Sequence, residues 1–383
     1  MRGENVAFLL FVGLAAGFFA HNVQRLVRYL RLGVAENRLD HPAVRTRNVL
    51  LIGIAQTKIL RDPLAGVMHA SVFWGFVVLT AGTIEVIIQG IWPAFSFAFL
   101  PRPLYAAFLA SQDAFGVLVL GAVAWLLYRR LVIKPRRLQG DQIHHGDAIF
   151  ILSMIASLMI TMFLAHGFEF AARPALAHRE SPISYGLGLL FGRTLSPESA
   201  WVGRQVAWWA HAVIVLVFLN YLPYSKHLHV AASLFNVFFS NTSGPGQKGV
   251  MRPMDLEAEG AEQFGAADVG QLSWKNLLDG YSCTECGRCT AACPANITGK
   301  VLSPRKIVVN TRQRLMELAP LAVGDANEFL RPSLAHGEGA DAGSPTGTAV
   351  LENRLLDNYI TEEELWQCTS CRACVTECPV SID

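Results

Sequence analysis

The sequence predicts an all-α chain: a five-helix transmembrane bundle over residues 1–240, a linker over 241–272, and a second helical domain over 273–383. Three observations lead to it. Of 383 residues 52% are hydrophobic and only 16% charged, with a mean hydropathy of +0.33, against roughly 25% charged in an ordinary soluble domain. Five long runs carry almost no charge, and all eight Cys fall after residue 280, outside those runs. This pattern excludes a disordered chain and a secreted disulfide scaffold. A net charge of +2 gives no reason to expect a nucleic-acid partner.

The apolar runs are Val6–Ala20, Leu64–Ile84, Ala114–Tyr128 (reaching back past Asp113 to Leu104), Ala148–Phe168 and Gln205–Ser225. A bilayer core of about 30 Å takes about 20 helical residues, so each reads as a membrane span with lipid as its partner. Buried soluble helices are the alternative for all five, and a cleaved signal peptide for the first; Arg2 beside Glu4 is a weak basic flank for the latter. Orientation follows from Lys and Arg. The segments after the first and third spans hold thirteen, from Arg25 to Arg61 and from Arg129 to Arg137, against six on the opposite side. The rule that cytoplasmic loops are basic then puts the N-terminus outside and everything after the fifth span inside, in a multi-pass protein of the cell inner membrane. Arg45–Lys58, apolar with basic ends, is expected along the inner membrane surface.

Composition shifts near residue 240. Asn241–Gly246 is turn-rich and Asp255–Gly270 is acidic and rich in Gly and Ala, which reads as a linker. Ser273 is placed to cap a short helix beginning at Trp274, Pro304–Leu318 reads as helix, and Gly337–Thr348 as loop. Thr361 opens a further helix whose glutamates suit the positive end of the helix dipole.

The cysteines form one motif twice. Cys283, Cys286, Cys289 and Cys293 precede Pro294, and Cys368, Cys371, Cys374 and Cys378 precede Pro379. Both read C-x2-C-x2-C-x3-C-P, the run that holds [4Fe-4S] clusters, with the fourth Cys of each run serving the other cluster. The expected sets are therefore Cys283, Cys286, Cys289 and Cys378 for one cluster, and Cys368, Cys371, Cys374 and Cys293 for the other. Structural zinc takes its ligands in pairs rather than triplets. The 74 residues between the runs exceed a compact bacterial ferredoxin and point to a helical module acting as an electron wire.

Histidines within a bilayer are functional suspects. His69 falls near the inner end of the second span, His166 near the outer end of the fourth, His211 in the outer half of the fifth, and His229 at its inner end. His211 and His229 stand 18 residues apart, five turns or about 27 Å along a helix, so they face one way but cannot grip one haem. Depth pairs His69 with His229 and His166 with His211 around two haem b groups. His21 and His227 are rivals, and His144 and His145 read as solvated loop. Asp113 and Glu85, in the outer half of the membrane, are candidates for proton transfer at a quinone site.

These residues resemble known families. The five spans look like the haem b membrane (gamma) subunit of respiratory nitrate reductase: His211, Pro223 and His229 reproduce its His, Pro and His spacing, and His69 stands where that family places its inner-haem ligand. Leu79 occupies the place of the family's second helix-2 His. Trp274 to the end resembles the ferredoxin part of heterodisulfide reductase-related proteins. The fusion is similar to membrane-bound reductases that link electron-transfer flavoprotein to the quinone pool. Those proteins usually continue into CCG domains, and no CCG pair follows Cys378; that module is expected either in a longer form of the chain or in a separate subunit. The resemblance implies an electron-transfer oxidoreductase working between a cytosolic donor such as electron-transfer flavoprotein and membrane quinone. The membrane part of a thiol/disulfide reductase, heterodisulfide or sulfite-linked, and a non-enzymatic iron-sulfur redox sensor are the alternatives.

Overall fold

The structure, a computed structural model, describes residues 3–140, 144–242, 256–257, 264–324 and 347–383. Most of the expected linker and of the Gly337–Thr348 loop lies outside the described residues. Among the described residues the regular structure is helical, as the sequence predicts, with only two isolated β-bridges, Val34–Ser273 and Leu356–Ile360.

Five helices are long and apolar enough to cross a membrane: α1 (Gly3–Leu30), α3 (Pro63–Ile91), α4 (Arg102–Tyr128, continued by a π turn to Ile133), α5 (His145–Ala172) and α7 (Pro197–Tyr221). They coincide with the five apolar runs. Between them lie α2 (Pro42–Asn48) and α6 (Pro182–Thr194). Proline in the first turn of α3, α4 and α6 removes an N–H that would otherwise lack a helical partner. Leu10, Leu14, Phe76, Val202 and Val206 stay largely exposed. That is costly in water and natural in lipid.

The chain divides into two compact units. The first comprises Met1–Ala20, Leu60–Ile133 and Ala148–Tyr221. Its core is Leu79, Val119, Val123, Ile151, Ile155 and Met159, from α3, α4 and α5. Helices α3 and α4 approach closely at Gly75, where a Cβ would stand 2.1 Å from a Val119 methyl; small residues permit such approach where lipid supplies no hydrophobic drive. Asp113 of α4 caps α6 from the side: its carboxylate accepts from the Ile183 N–H at 2.7 Å and the Ser184 hydroxyl at 2.6 Å. A carboxylate against otherwise unpaired N–H groups at the positive end of a helix is well satisfied.

The second unit comprises His21–Ile59, Lys134–Asp147 and Leu222–Asp383. It contains α8 (His229–Phe238), α9 (Trp274–Ser282), α10 (Arg288–Ala291), α11 (Pro294–Ile297), α12 (Pro304–Ala322), α13 (Gly347–Glu352), α14 (Leu355–Asn358), α15 (Glu362–Trp366) and α16 (Ala373–Glu377). Ser273 and Thr361 form capping boxes on α9 and α15, and Ser303 caps α12. Leu277, Leu278 and Tyr281 of α9 pack with Leu315, Met316 and Ala319 of α12, and Leu26 and Tyr29 complete the core. The segments that leave the spans thus fold with the cysteine-bearing segment. Arg45, expected on a membrane surface, is buried instead and donates to the carbonyls of Phe238 and Ser240, each at 2.8 Å, closing the C-terminal end of α8.

A candidate iron-sulfur centre

Each cysteine run folds as a tight loop, and the two loops share one backbone pattern. Glu285 and Gly287 have φ of 57° and 73°; their counterparts Ser370 and Arg372 have 54° and 55°. A left-handed residue on each side of the second Cys turns the backbone N–H groups toward the sulfurs, as in other anion-binding nests. The Ser370 N–H points at Cys368 Sγ at 3.4 Å, and the Glu285 N–H bonds Cys283 in the same way. Gly287 needs its left-handed backbone and its missing side chain alike, since a Cβ there would come within 2.2 Å of the Arg137 carbonyl oxygen. Gly287→Ala is expected to cost about 1–2 kcal/mol from backbone strain alone and to loosen the first loop, read as lower iron retention and a lower melting midpoint. The counterpart change Arg372→Gly should leave both unchanged. Equal behaviour of the two variants would contradict this account.

All eight cysteines line one cavity of about 260 Å³. Among the described residues no three His, Cys, Asp or Glu side chains converge closely enough for a single metal ion; the thiols stand around a volume instead. Cys378 lies within electrostatic reach of Cys283 and Cys286, and Cys374 within reach of Cys368, Cys371 and Cys293. The fourth thiol of each run therefore neighbours the other run. Burial pushes Cys283 up to about 11 and, joined by the charges of Cys283 and Cys286, Cys289 up to about 12. Burial raises Cys378 further still. Thiolates are unfavourable in such a site unless cationic metal compensates them, so the donor set fits iron-sulfur clusters.

One residue of the first loop escaped the sequence reading. The Glu285 side chain is fully buried and meets Arg312 Nη2 at 2.5 Å, Lys226 Nζ at 3.0 Å and His144 Nδ1 at 3.0 Å. Burial alone would raise its carboxyl; the His144 hydrogen bond and the charges of Arg312 and Lys226 outweigh that and hold it well below its ordinary range. His144 is consequently not a solvated loop residue. The available signal was Arg305 and Arg312, seven residues apart and so on one face of α12. Arg305 donates to Arg137 O at 2.9 Å, Arg288 to Lys58 O at 2.9 Å, and Lys58 to Cys378 O at 3.1 Å. These cations tie the first loop and its fourth cysteine to residues 58 and 137, close in sequence to the ends of spans.

The histidines are placed as follows. His211 is buried on α7, its Nδ1 3.1 Å from Leu158 O and 3.1 Å from Thr161 Oγ1. A carbonyl only accepts, so Nδ1 carries the proton and Nε2 keeps the lone pair a metal needs. His229 has the same arrangement, Nδ1 lying 2.9 Å from Lys226 O. His166 on α5 stacks on Phe170 and lies within electrostatic reach of His211. His69 is half-buried near the start of α3. Leu79 is part of the apolar core of the first unit, so position 79 offers no haem ligand. Asp113 is engaged in capping α6, and Glu85 accepts from Ser96 Oγ at 3.0 Å and Phe97 N at 2.8 Å; both carboxylates serve as caps.

Five apolar helices and eight cysteines in two nested loops define a membrane-spanning chain with a dicluster ferredoxin module. Residues 282–382 match the family described as 4Fe-4S dicluster domain. The chain is 32% identical over 382 residues to a probable iron-sulfur-binding oxidoreductase, FadF, of Bacillus subtilis, covering 97% of this chain and 53% of that protein. It is 31% identical over 362 residues to an EtfAB:quinone oxidoreductase of Syntrophomonas wolfei, covering 91% and 48%. A probable membrane-anchored ferredoxin of Chromohalobacter salexigens is 33% identical over 146 residues, 38% of this chain and 21% of that one. The chain thus spans about half the length of the first two relatives. No solved structure matches it.

Proposed function

We propose that this chain is the membrane and ferredoxin portion of an oxidoreductase that passes electrons between a soluble donor of the electron-transfer flavoprotein kind and membrane quinone. The observation that carries the reading is the pair of matching cysteine loops around one cavity. Two [4Fe-4S] clusters would supply one-electron relay there, held by Cys283, Cys286, Cys289 and Cys378 and by Cys368, Cys371, Cys374 and Cys293. The similarity to an EtfAB:quinone oxidoreductase supports the choice of donor and acceptor. Haem b in the first unit is supported by the tautomer of His211 and by its neighbour His166. The basic segments after the first and third spans support a cytoplasmic iron-sulfur domain. A CCG-domain module on a separate subunit would be a further partner.

Anaerobically purified protein is expected to hold about eight irons with matching acid-labile sulfide, to show a haem b absorption spectrum, and to reduce a menaquinone analogue when given reduced flavoprotein. His211→Ala and His166→Ala should each remove the same haem and leave the iron and sulfide count unchanged, because one imidazole does not hold a six-coordinate iron alone. Stoichiometric zinc without sulfide would sink the cluster assignment. Wild-type protein without haem absorbance would confine the relay to the iron-sulfur centre.

A further inference from the structure

The two cysteine loops have one backbone and opposite surroundings. In the first, Glu285 is buried among Arg312, Lys226 and His144, and Gly287 lies against the Arg137 carbonyl. In the second, the same two positions carry Ser370 and Arg372, both partly exposed. Of the first site's ligands Cys283 and Cys378 are buried and none is exposed, whereas at the second site Cys293 is buried but Cys368 and Cys371 are exposed. Beside the exposed pair, Leu365 lines the cavity and is 46% exposed, and Trp366 is 80% exposed. Trp366 is held in place, its indole N–H donating to Glu362 at 3.1 Å on a helix with a full capping box. Gln367, next to Trp366, accepts from the Leu302 N–H at 3.0 Å, and Val301, next to Leu302, is 56% exposed.

We propose that the exposed cysteine site is the port through which a soluble redox protein exchanges electrons with this chain, and that Leu365, Trp366 and Val301 form its docking surface. The inference rests on the reading that the eight cysteines hold two clusters. One electron leaves the carrier, which is oxidised by one unit, and reduces the chain's iron by one unit. Electron transfer weakens steeply with distance, so the exposed edge is the place a protein-bound donor must approach, while the first loop is tied to the segments leading into the spans. A fixed, exposed aromatic flanked by aliphatic side chains is the anchor protein interfaces favour. A lipid surface is the poorer occupant, because α15 presents Glu362 and Glu363 to solvent and anionic headgroups repel them. The same glutamates call for a basic rim on the partner.

The test uses the full chain, purified anaerobically with its iron counted first. Electron-transfer flavoprotein and flavodoxin serve as protein probes, dithionite as the small reductant, and phosphatidylglycerol vesicles as the lipid probe. At least one protein probe is expected to bind the wild type. Trp366→Ala should weaken that binding about tenfold or more, the scale of losing a central aromatic, and slow iron reduction by the same protein similarly, with the dithionite rate unchanged. Binding by flavodoxin alone supports the docking surface and overturns only the named donor. Equal affinity of variant and wild type, binding by neither protein, or an equal loss with dithionite overturns the docking surface. A variant that loses vesicle binding instead assigns the face to lipid and overturns it as well. Wild-type protein without iron overturns the cluster reading and the port together, an outcome visible before any probe is added.

Discussion

Cys378→Ser is expected to remove about four of about eight irons, and to remove them from the site of Cys283, Cys286 and Cys289 rather than from the run to which Cys378 belongs in sequence. The tail that carries Cys378 is pinned against the first loop. Lys58 donates to the Cys378 carbonyl and, at 3.2 Å, to Ser381 Oγ, and Asn236 donates to Val380 O at 3.0 Å. Its thiol is buried beside Cys283 and Cys286 and accepts from the Ile382 N–H at 3.4 Å. Serine keeps the size but loses the thiolate that iron requires. Iron and sulfide analysis, with electron paramagnetic resonance of the reduced protein, would identify the surviving signal. It should match that of Cys283→Ser and differ from that of Cys368→Ser. Loss of the Cys368 site alone would refute the crossed arrangement.

Glu285→Ala should destabilise the second unit by about 3–5 kcal/mol, the range for deleting one partner of a buried ion pair. Lys226 and Arg312 would keep their charges in a desolvated site, and His144 would lose its acceptor. For a domain of this size that is on the order of 10 °C in melting midpoint. Glu285→Gln keeps an acceptor oxygen and should fall between the two. Replacing Lys226 by Met in the Glu285→Ala background should recover part of the loss, because it removes one orphaned charge. Thermal unfolding in detergent, followed by circular dichroism, measures all three. A midpoint unchanged in Glu285→Ala would mean that the network contributes no net stability.

Much of the architecture was legible in the sequence because it follows from local rules. Five apolar runs became five helices, and Ser273 and Thr361 cap the helices expected of them. The cysteine spacing predicted two matching loops, and the backbone repeats its left-handed residues at matching positions. Histidine roles were less legible, because depth along a helix does not reveal what each ring nitrogen meets. The Leu158 carbonyl that fixes the tautomer of His211 lies on another helix, 53 residues away.

Charge was the hardest signal to read. In sequence, Arg45 reads as membrane-facing and His144 as solvated loop, and no local motif singles out Arg305, Arg312 or Lys226. In the fold they are drawn inward to carbonyls and to one carboxylate. A basic residue in a loop has many low-energy environments, and only the full set of partners selects one. The sequence by itself determined the five long apolar helices, the capped helices at Trp274 and Thr361, and which thiols are candidate iron ligands, since hydrophobic period, thiol spacing and caps act over a few residues. Tertiary structure decided which cysteine loop is enclosed and which is open. The two loops share one backbone pattern, and it is distant segments, such as Arg137 and Lys226, brought against the first that enclose it.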